Sequence, residues 1–312
     1  MASLHALLNH IIDYAGLFPP ANLPLAPALQ NYAAYQASAQ AWMLGRFVCP
    51  TLQLTEANAH LDWFSVEAPL RVAALGRPSA NPAEFGAHWL VNFRELQAFC
   101  QRHGPRVSVD VLEAPLPPHI TAPQMRDLLE RALGTIAHFN PTPVRLFFEI
   151  PPAADWRAQA QLALEALARY PSDMGFKLRT GGVVASAFPN VEQVAWAIAA
   201  CRTHGVALKC TAGLHHPVRH FNPGVQTKMH GFLNVFGAGV LAHALALPLA
   251  EIEAILTEED PDQFVCDAAG FAWQTHRATP AQITAARHAL MIGFGSCSFD
   301  DPRDDLRALG WL

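Results

Sequence analysis

The sequence predicts an α/β protein of the (β/α)₈, or TIM, barrel class. Apolar strand-like runs alternate with helical patterns of about 10–20 residues, eight such runs occur, and 312 residues suffice for eight strand–helix units. An open, doubly wound sheet is the alternative. The first predicted strand is not followed by a Gly-x-Gly-x-x-Gly motif, which disfavours that alternative.

The eight predicted strands follow one another from the N-terminus. They lie near residues 12, 46, 72, 109, 147, 177, 208 and 293. Pro50, Gly76 and Pro151 end the second, third and fifth strands, because proline and glycine interrupt extended pairing. Helices are predicted between them, over residues 25–38, 55–64, 82–102, 123–139, 156–170 and 189–204.

The regular alternation loosens after Pro217. Helices are predicted over residues 229–246, 249–256, 279–290 and 301–309, and residues 264–273 fit either a strand or a tight helix. We therefore predict a single domain over residues 1–312, in which residues 218–288 form a mostly helical insertion between the seventh and eighth strands.

Composition excludes several classes of protein. A hydrophobic content of 51% with 15% charged residues predicts a large core rather than disorder. The net charge of −5, without a basic block, gives no reason to expect a nucleic-acid partner. No apolar run reaches the roughly 18 residues of a membrane span, and no secretory signal precedes the first strand. Six scattered cysteines predict reduced thiols, so we expect a cytoplasmic protein; whether it forms a homo-oligomer is left open.

Two lysines carry the main functional prediction. The chain has three lysines among 21 basic residues, and Lys177 and Lys209 lie inside apolar strand-like runs. Unlike arginine, lysine can lose its proton and form an imine with a carbonyl compound. Residues two apart on a strand share a face, so Lys177 should point with Arg179, and Lys209 with Thr211. Crowded, desolvated cations would lower the lysine pKa from its usual value of about 10.4.

Acidic residues and glycines at the predicted strand ends complete this site. Asp110 is the expected proton carrier, with Glu149 or Asp13 able to serve instead. Glycine-rich loops at this end of a barrel commonly bind phosphate through backbone N–H groups. The expected substrate-binding or phosphate-binding residues are Arg179, Thr180, Gly181, Gly182, Thr211, Gly213, His215, His216, Gly295, Ser296, Asp13 and Glu149.

At these positions the chain resembles the class I aldolases of the deoxyribose-phosphate aldolase type. The segments FKLRTGG, ALKCTAG and GFGSCS are similar to that family's sixth-, seventh- and eighth-strand motifs in order and spacing. The resemblance implies a Schiff-base lysine at Lys177, an assisting lysine at Lys209 and a proton relay through Asp110. It also implies a phosphate site formed by Gly181, Gly182, Gly213 and Ser296. Arg179, the His215–His216–Pro217 run and the long 218–288 segment differ from the family pattern.

The histidines support a rival prediction. Among 15 histidines, His215, His216, His220 and His230 lie within 16 residues. Three of them beside Asp110 or Glu149 would suit a metal-dependent hydrolase or isomerase, although the spacing matches no zinc signature. A barrel that binds a ligand without turning it over is the remaining alternative. The leading prediction is a Schiff-base lyase that needs no cofactor beyond its own lysine and acts on a small, phosphorylated or unphosphorylated, carbonyl compound.

Overall fold

Seven strands precede the insertion, each where the sequence predicts one. The computed structural model describes residues 2–139 and 144–312, without the side chains of residues 137–139. The strands are β1 (Ile12–Tyr14), β2 (Leu44–Pro50), β3 (Leu70–Leu75), β4 (Val107–Pro115), β5 (Arg145–Glu149), β6 (Met174–Arg179) and β7 (Ala207–Thr211). Their central residues are almost entirely buried, as expected for a parallel sheet covered on its outer face.

The helices of this part of the chain also follow the prediction, with one addition. They are α1 (Ala2–Leu8), α2 (Leu25–Gln36), α3 (Leu54–Ala57), α4 (Pro82–His103), α5 (Ala122–Phe139), α6 (Trp156–Leu167) and α7 (Val191–His204). The sequence did not predict α1. The predicted helix over 55–64 is one α-helical turn, α3, followed by a 3₁₀ helix. Such short segments lack the several turns over which a helical period can be recognised.

Local sequence accounts for the ends of the longest helix. The side chain of Asn81 accepts a hydrogen bond from the backbone N–H of Glu84 at 3.0 Å, and Pro82 occupies the first helical position. Asparagine is a favoured N-cap, and proline costs nothing where no backbone donor is needed. Gly104 ends α4 with a φ of 53°, a conformation that glycine adopts without strain.

The segment between β7 and the last strand contains more β-structure than predicted. Its elements are β8 (His220–Asn222), β9 (Thr227–Met229), α8 (Phe232–Leu245), α9 (Leu249–Thr257), β10 (Phe264–Asp267), β11 (Gly270–Trp273), β12 (His276–Ala278) and α10 (Pro280–Ala289). β8 and β9 form a hairpin, and β10, β11 and β12 form an antiparallel sheet. The strand alternative for residues 264–273 is confirmed by β10 and β11. The sequence did not predict β8, β9 and β12, because strands of three residues are too short to show a period of two.

The chain ends with β13 (Met291–Ser296) and α11 (Asp300–Ala308), and β13 completes the barrel. Eight parallel strands form a closed barrel in the order β1-β13-β7-β6-β5-β4-β3-β2. The predicted (β/α)₈ class is therefore confirmed. Within residues 2–139 and 144–312, no helix is both long and apolar enough to cross a membrane.

Two compact units share the chain, each with its own aromatic core. The first unit consists of Met1–Asn22, Ala39–Gly45 and Leu178–Leu312, and the second of Leu23–Ser38 and Arg46–Lys177. In the first, Phe232 and Phe236 pack against Phe294, with ring centroids 5.6 and 5.5 Å away. In the second, Trp89 stacks on Phe148 at 5.8 Å. Whether the chain is one domain, as the sequence suggests, stays a prediction.

Candidate functional site

A buried cluster of one amine and two carboxylates surrounds Lys177 in the second unit. The Nζ atom of Lys177 lies 2.6 Å from Oε2 of Glu113 and 3.3 Å from Oε2 of Glu149. The three side chains are only 4%, 3% and 8% exposed. Ionisable groups are rarely buried this deeply unless they pair, so the two carboxylates and the amine stabilise each other's burial.

Strand register explains why Glu149 meets Lys177. Glu149 is the last residue of β5 and is directly opposite Lys177 of β6 in the parallel pairing. Adjacent strands in a sheet are about 4.8 Å apart, so side chains at paired positions that leave the same face can contact each other. β4 pairs with the other edge of β5, and its residue Glu113 approaches Lys177 near the carboxyl ends of the strands.

Asp110, the expected proton carrier, has a different partner. Its carboxylate forms a two-pronged ion pair with Arg46 of β2, with Nε–Oδ1 and Nη2–Oδ2 distances of 2.5 and 2.6 Å. Burial alone would raise the pKa of Asp110, but the hydrogen bonds and charge of Arg46 hold it below the usual value of 3.8. The role assigned to Asp110 is therefore corrected, because Glu113 is the β4 residue that contacts Lys177.

A register shift in β4 underlies this difference. Val72 and Ala73 of β3 pair with Val109 and Val111 of β4, so Asp110 is an extra residue without an opposite position on β3. Such a bulge re-aims the side chains around it and changes the alternation of faces along the strand. Counting every second residue from the start of β4 therefore cannot identify the carboxylate that reaches Lys177.

The second lysine forms its own buried pair in the first unit. The Nζ atom of Lys209 lies 2.5 Å from Oδ2 of Asp13, and the two side chains are 1% and 2% exposed. A side chain on Gly45 would put its Cβ 2.2 Å from Oδ1 of Asp13, so this glycine makes room for the carboxylate. The sequence indicated both Lys209 and Asp13 as site residues, and the structure pairs them with each other.

Residues above this pair line the carboxyl ends of β7 and β13. In the pairing of these strands, Lys209 is opposite Gly293 and Thr211 is opposite Gly295. The hydroxyl of Ser296, the last residue of β13, lies 3.3 Å from Nδ1 of His215 in the loop after β7. Ser296 and His215 are thus brought together as expected for loops at the same end of a barrel.

The glycines expected to bind phosphate pack closely against protein atoms. A Cβ on Gly181 would lie 2.8 Å from the Cα of Gly213 and 2.5 Å from the ring of Phe188. Gly213 also has a φ of 77°, and a Cβ on Gly182 would lie 2.7 Å from that of Ala187. Gly181 and Gly213 allow their backbones to approach each other, and a side chain at Gly182 would meet that of Ala187. Phosphate binding by their N–H groups stays a prediction.

Thr180 is likewise committed to the fold. Its hydroxyl is fully buried and donates to the carbonyl oxygens of Ala212 and Thr211 at 2.5 and 3.1 Å. Its backbone N–H donates to the carbonyl oxygen of Thr211 at 2.8 Å. The predicted ligand-binding role of Thr180 is thus replaced by a link between the ends of β6 and β7. Arg179, one residue earlier, is half-buried.

The four clustered histidines do not converge on a metal site. His216 contacts Asp305 of α11 with an Nδ1–Oδ2 distance of 2.6 Å, and its ring meets that of His220 edge to face. His220 donates from Nδ1 to the carbonyl oxygen of Val218 at 3.1 Å. In the part of the chain that the structure describes, no group of three or more His, Cys, Asp or Glu side chains is arranged to hold a metal ion.

The predicted helix over residues 229–246 would put His230 and Asn234, four residues apart, on one face. The helix α8 begins only at Phe232, so they do not share a helical face. His230 is buried, and its Nε2 donates to the carbonyl oxygen of Pro189 at 2.8 Å. Desolvation by burial lowers the pKa of His230 to about 4. Asn234 is fully buried, and its side-chain amide donates hydrogen bonds to the carbonyl oxygens of Ile255 and Glu258. Its amide oxygen accepts a hydrogen bond from the backbone N–H of Arg219, so Asn234 links three parts of the insertion.

The cysteines near the strand ends are not activated nucleophiles. No disulfide links the six cysteines, all of which lie within the described residues. Burial raises the pKa of Cys49, at the end of β2, to about 12, and the Glu56 carboxylate adds to this effect. Burial also raises the pKa of Cys210, next to Lys209, to about 12. A thiol must ionise to attack, so the buried lysines are the better candidates.

Sequence reasoning underestimated three acidic residues. Glu113 lies at the end of the predicted fourth strand, but its contact with Lys177 follows from strand register and not from any local pattern. Asp301 and Asp305 of α11 lie on one helical face, four residues apart, and approach His215 and His216 respectively. That four-residue spacing was visible in the sequence, but nothing local indicated which loop the face would meet.

Comparisons with protein families, with curated proteins and with solved structures find no match to this chain. The site must therefore be interpreted from its own chemistry.

Proposed function

We propose that the protein is a Schiff-base-forming lyase of the aldolase kind, with Lys177 as the nucleophile and a small carbonyl compound as the substrate. One observation carries this proposal: the Lys177 amine lies 2.6 Å and 3.3 Å from two carboxylates in a setting almost closed to solvent. An amine that attacks a carbonyl needs a base to take its proton and an acid to return it, and both roles fall within this cluster.

The buried contact between Lys177 and Glu113 supports formation of the reactive amine. Transfer of one proton from the ammonium to the carboxylate converts a buried ion pair into two neutral groups, which a poorly solvated site tolerates better than isolated charges. The neutral amine then attacks the carbonyl carbon. The proton held by Glu113 passes to the resulting hydroxyl, which leaves as water, and a protonated imine remains on Nζ.

Glu149 has a separate task in this scheme. The protonated imine withdraws the electrons of the adjacent carbon–carbon bond as that bond breaks, which leaves an enamine on Lys177. Glu149 takes the proton from the hydroxyl group of the departing fragment, whose carbon becomes a carbonyl. Protonation of the enamine carbon and hydrolysis of the imine by water then return the free amine. The same steps in reverse describe a condensation.

Lys209 is the predicted assisting lysine. Its amine forms a buried ion pair with Asp13. The expectation that Lys209 lowers the pKa of Lys177 stays a prediction. The geometry gives the metal-dependent alternative no support, because the described histidines form no cluster of ligands. The binding-only alternative predicts a ligand without any covalent intermediate, and the same experiment separates it from the lyase.

Reductive trapping tests the proposal. The protein is incubated with a panel of small aldehydes and ketones, reduced with borohydride and mapped by peptide mass spectrometry. With three lysines in the chain, each adduct has few possible positions. We expect an adduct on the buried Lys177 in preference to Lys228, whose side chain is 47% exposed, and we expect Lys177→Arg to abolish it.

The control separates specific from incidental chemistry. Lys228→Arg removes an exposed amine that lies in an ion pair with Glu259, and it should leave the Lys177 adduct unchanged. Adducts found only on Lys228 and the α-amino group, across the whole panel, would refute the proposed lyase. An adduct on Lys209 but not on Lys177 would keep the reaction class and overturn the choice of nucleophile.

A further inference from the structure

A groove lies between α4 and α5 in the second unit. Its volume is about 670 Å³, and it is lined by side chains within residues 82–90 of α4 and 127–135 of α5. Phe85 and Trp89 are buried at its floor, whereas Leu90 on its rim is 42% exposed. A groove with apolar walls that is open to water is a candidate contact surface for another molecule.

The outward face of α4 beside this groove is small and apolar. Ala83, Gly86, Ala87 and Leu90 follow the three- and four-residue spacing of a single helical face, and all four are exposed. The solvent face of a helix normally consists of charged and polar residues. This stretch of α4 is therefore better suited to contact with a protein than to contact with water.

Gly86 serves no packing purpose within its own chain. A Cβ at this position would meet no further atom of residues 2–139 and 144–312 within 4 Å. Glycine in the interior of a helix is destabilising relative to alanine, so the fold of the single chain gains nothing from it. What glycine permits is the close approach of another backbone.

Two exposed charges on α5 are arranged so that they can pair with a copy of themselves. Asp127 and Arg131 are four residues apart, lie 2.9 Å from each other and are 60% and 78% exposed. A two-fold axis at right angles to α5 reverses the order of residues along the helix. If it passes midway between the two charges, each Asp127 lies opposite the Arg131 of the other copy. The surface is thus electrostatically complementary to itself.

The same axis passes close to Gly86. Trp89 lies beside Ala132, because its Nε1 donates to the carbonyl oxygen of that residue at 3.3 Å. Successive helices of a (β/α)₈ barrel run in the same direction. Gly86 therefore lies within about one helical turn of the level midway between Asp127 and Arg131. Two copies of α4 would cross where the helix has no side chain.

The area of this surface is sufficient for a dimer. With 22 and 18 residues at 1.5 Å each, α4 and α5 are about 33 and 27 Å long. Side by side they form a face about 20 Å wide, so a second copy would bury roughly 600 Å² on each side. The total of about 1,200 Å² is the lower limit for a specific protein–protein interface.

We infer that a second copy of this chain binds to the α4–α5 face, with each helix antiparallel to its counterpart across a two-fold axis. The α4–α5 face consists of the groove and the exposed residues Ala83, Gly86, Leu90, Asp127 and Arg131. The inference is independent of the proposed lyase reaction, because it concerns mass and not turnover.

Sedimentation velocity on the full chain tests this inference at several protein concentrations. We expect a particle of twice the chain's mass, with a dissociation constant in the micromolar range that fits an interface of this area. Gly86→Leu should raise that constant at least about ten-fold, because side chains at the crossing keep the copies apart. The variant should fold normally, since the new Cβ has room and leucine favours a helix more than glycine does.

Ala98→Leu is the matched control for added bulk. Ala98 is also exposed on α4, but it lies about 18 Å along the helix from Gly86 and beyond the end of an antiparallel copy of α4. This variant should dimerise as the natural protein does. Circular dichroism checks that each variant is folded.

A charge exchange tests the antiparallel pairing itself. Asp127→Arg leaves only positive charge at this pair of positions, and Arg131→Asp leaves only negative charge. Each variant alone should dimerise at least about ten-fold more weakly, because like charges then face each other. An equimolar mixture of the two should recover the dimer, because every arginine then faces an aspartate.

Three outcomes would overturn the inference. A chain that stays monomeric up to about 100 µM would leave the α4–α5 face to a different partner. A dimer that neither Gly86→Leu nor the charge variants weaken would show that the copies meet elsewhere. Charge variants that are both weakened but do not recover on mixing would exclude the antiparallel arrangement.

Discussion

Replacement of Lys177 by methionine should strongly destabilise the protein, because it leaves two buried carboxylates without their shared cation. At the observed distances of 2.6 and 3.3 Å, Coulomb attraction at an effective dielectric constant of about 20 amounts to roughly 6 and 5 kcal/mol. Desolvation of the charged groups offsets much of this attraction. Removing one partner from a buried pair nevertheless costs about 3–5 kcal/mol, so we expect the free energy of unfolding of Lys177→Met to fall by that amount.

Urea unfolding followed by circular dichroism measures this loss, and the chain supplies a matched control. Lys228→Met makes the same substitution in an ion pair with Glu259, whose side chains are 47% and 44% exposed. An exposed pair contributes about 1 kcal/mol or less. The double variant Lys177→Met/Glu113→Gln removes one of the stranded carboxylates and should be more stable than Lys177→Met. Equal losses for the two methionine variants, or no recovery in the double variant, would refute the electrostatic account of this cluster.

Two further predictions concern the acid–base groups. Glu113→Gln should slow imine formation at Lys177 about 100-fold or more, which is the usual contribution of a positioned acid or base, whereas Asp110→Asn should leave the rate nearly unchanged. Rapid mixing followed by reductive trapping measures the rate of imine formation in each variant. Equal rates for both variants would restore Asp110 as the candidate proton carrier. His230 is neutral in the folded protein, with its pKa lowered by burial to about 4, so the folded state binds fewer protons than the unfolded state below the usual pKa of 6.5. The free energy of unfolding should therefore be fully retained above pH 6.5 and fall by up to about 3 kcal/mol as the pH drops towards 4. His230→Gln should flatten that slope in urea titrations at several pH values, and an unchanged slope would contradict the assignment.

Some features of the site could be predicted because they depend on nearby residues. Lys177 and Lys209 are conspicuous because they are rare and lie inside apolar runs, and both prove to be buried. Asp13 and Glu149 were expected near them because both end strands, and each contacts a lysine. The phosphate site was expected from the glycine-rich loops and from the family resemblance, and it stays a prediction. A glycine that permits close backbone packing looks the same in sequence as one that exposes N–H groups to a ligand.

The sequence by itself determined the class of fold and singled out the two lysines that prove to be buried. The barrel strands are apolar runs, and hydrophobic burial favours placing such runs inside, so seven of them at regular spacing and an eighth after the insertion indicate a barrel. The tertiary structure decided which groups meet. The bulge at Asp110 shifts the register of β4 by one residue, which turns Asp110 to Arg46 and leaves Glu113 to contact Lys177. Contacts between residues distant in the chain depend on such shifts in register, and a local pattern contains no information about its partner strand.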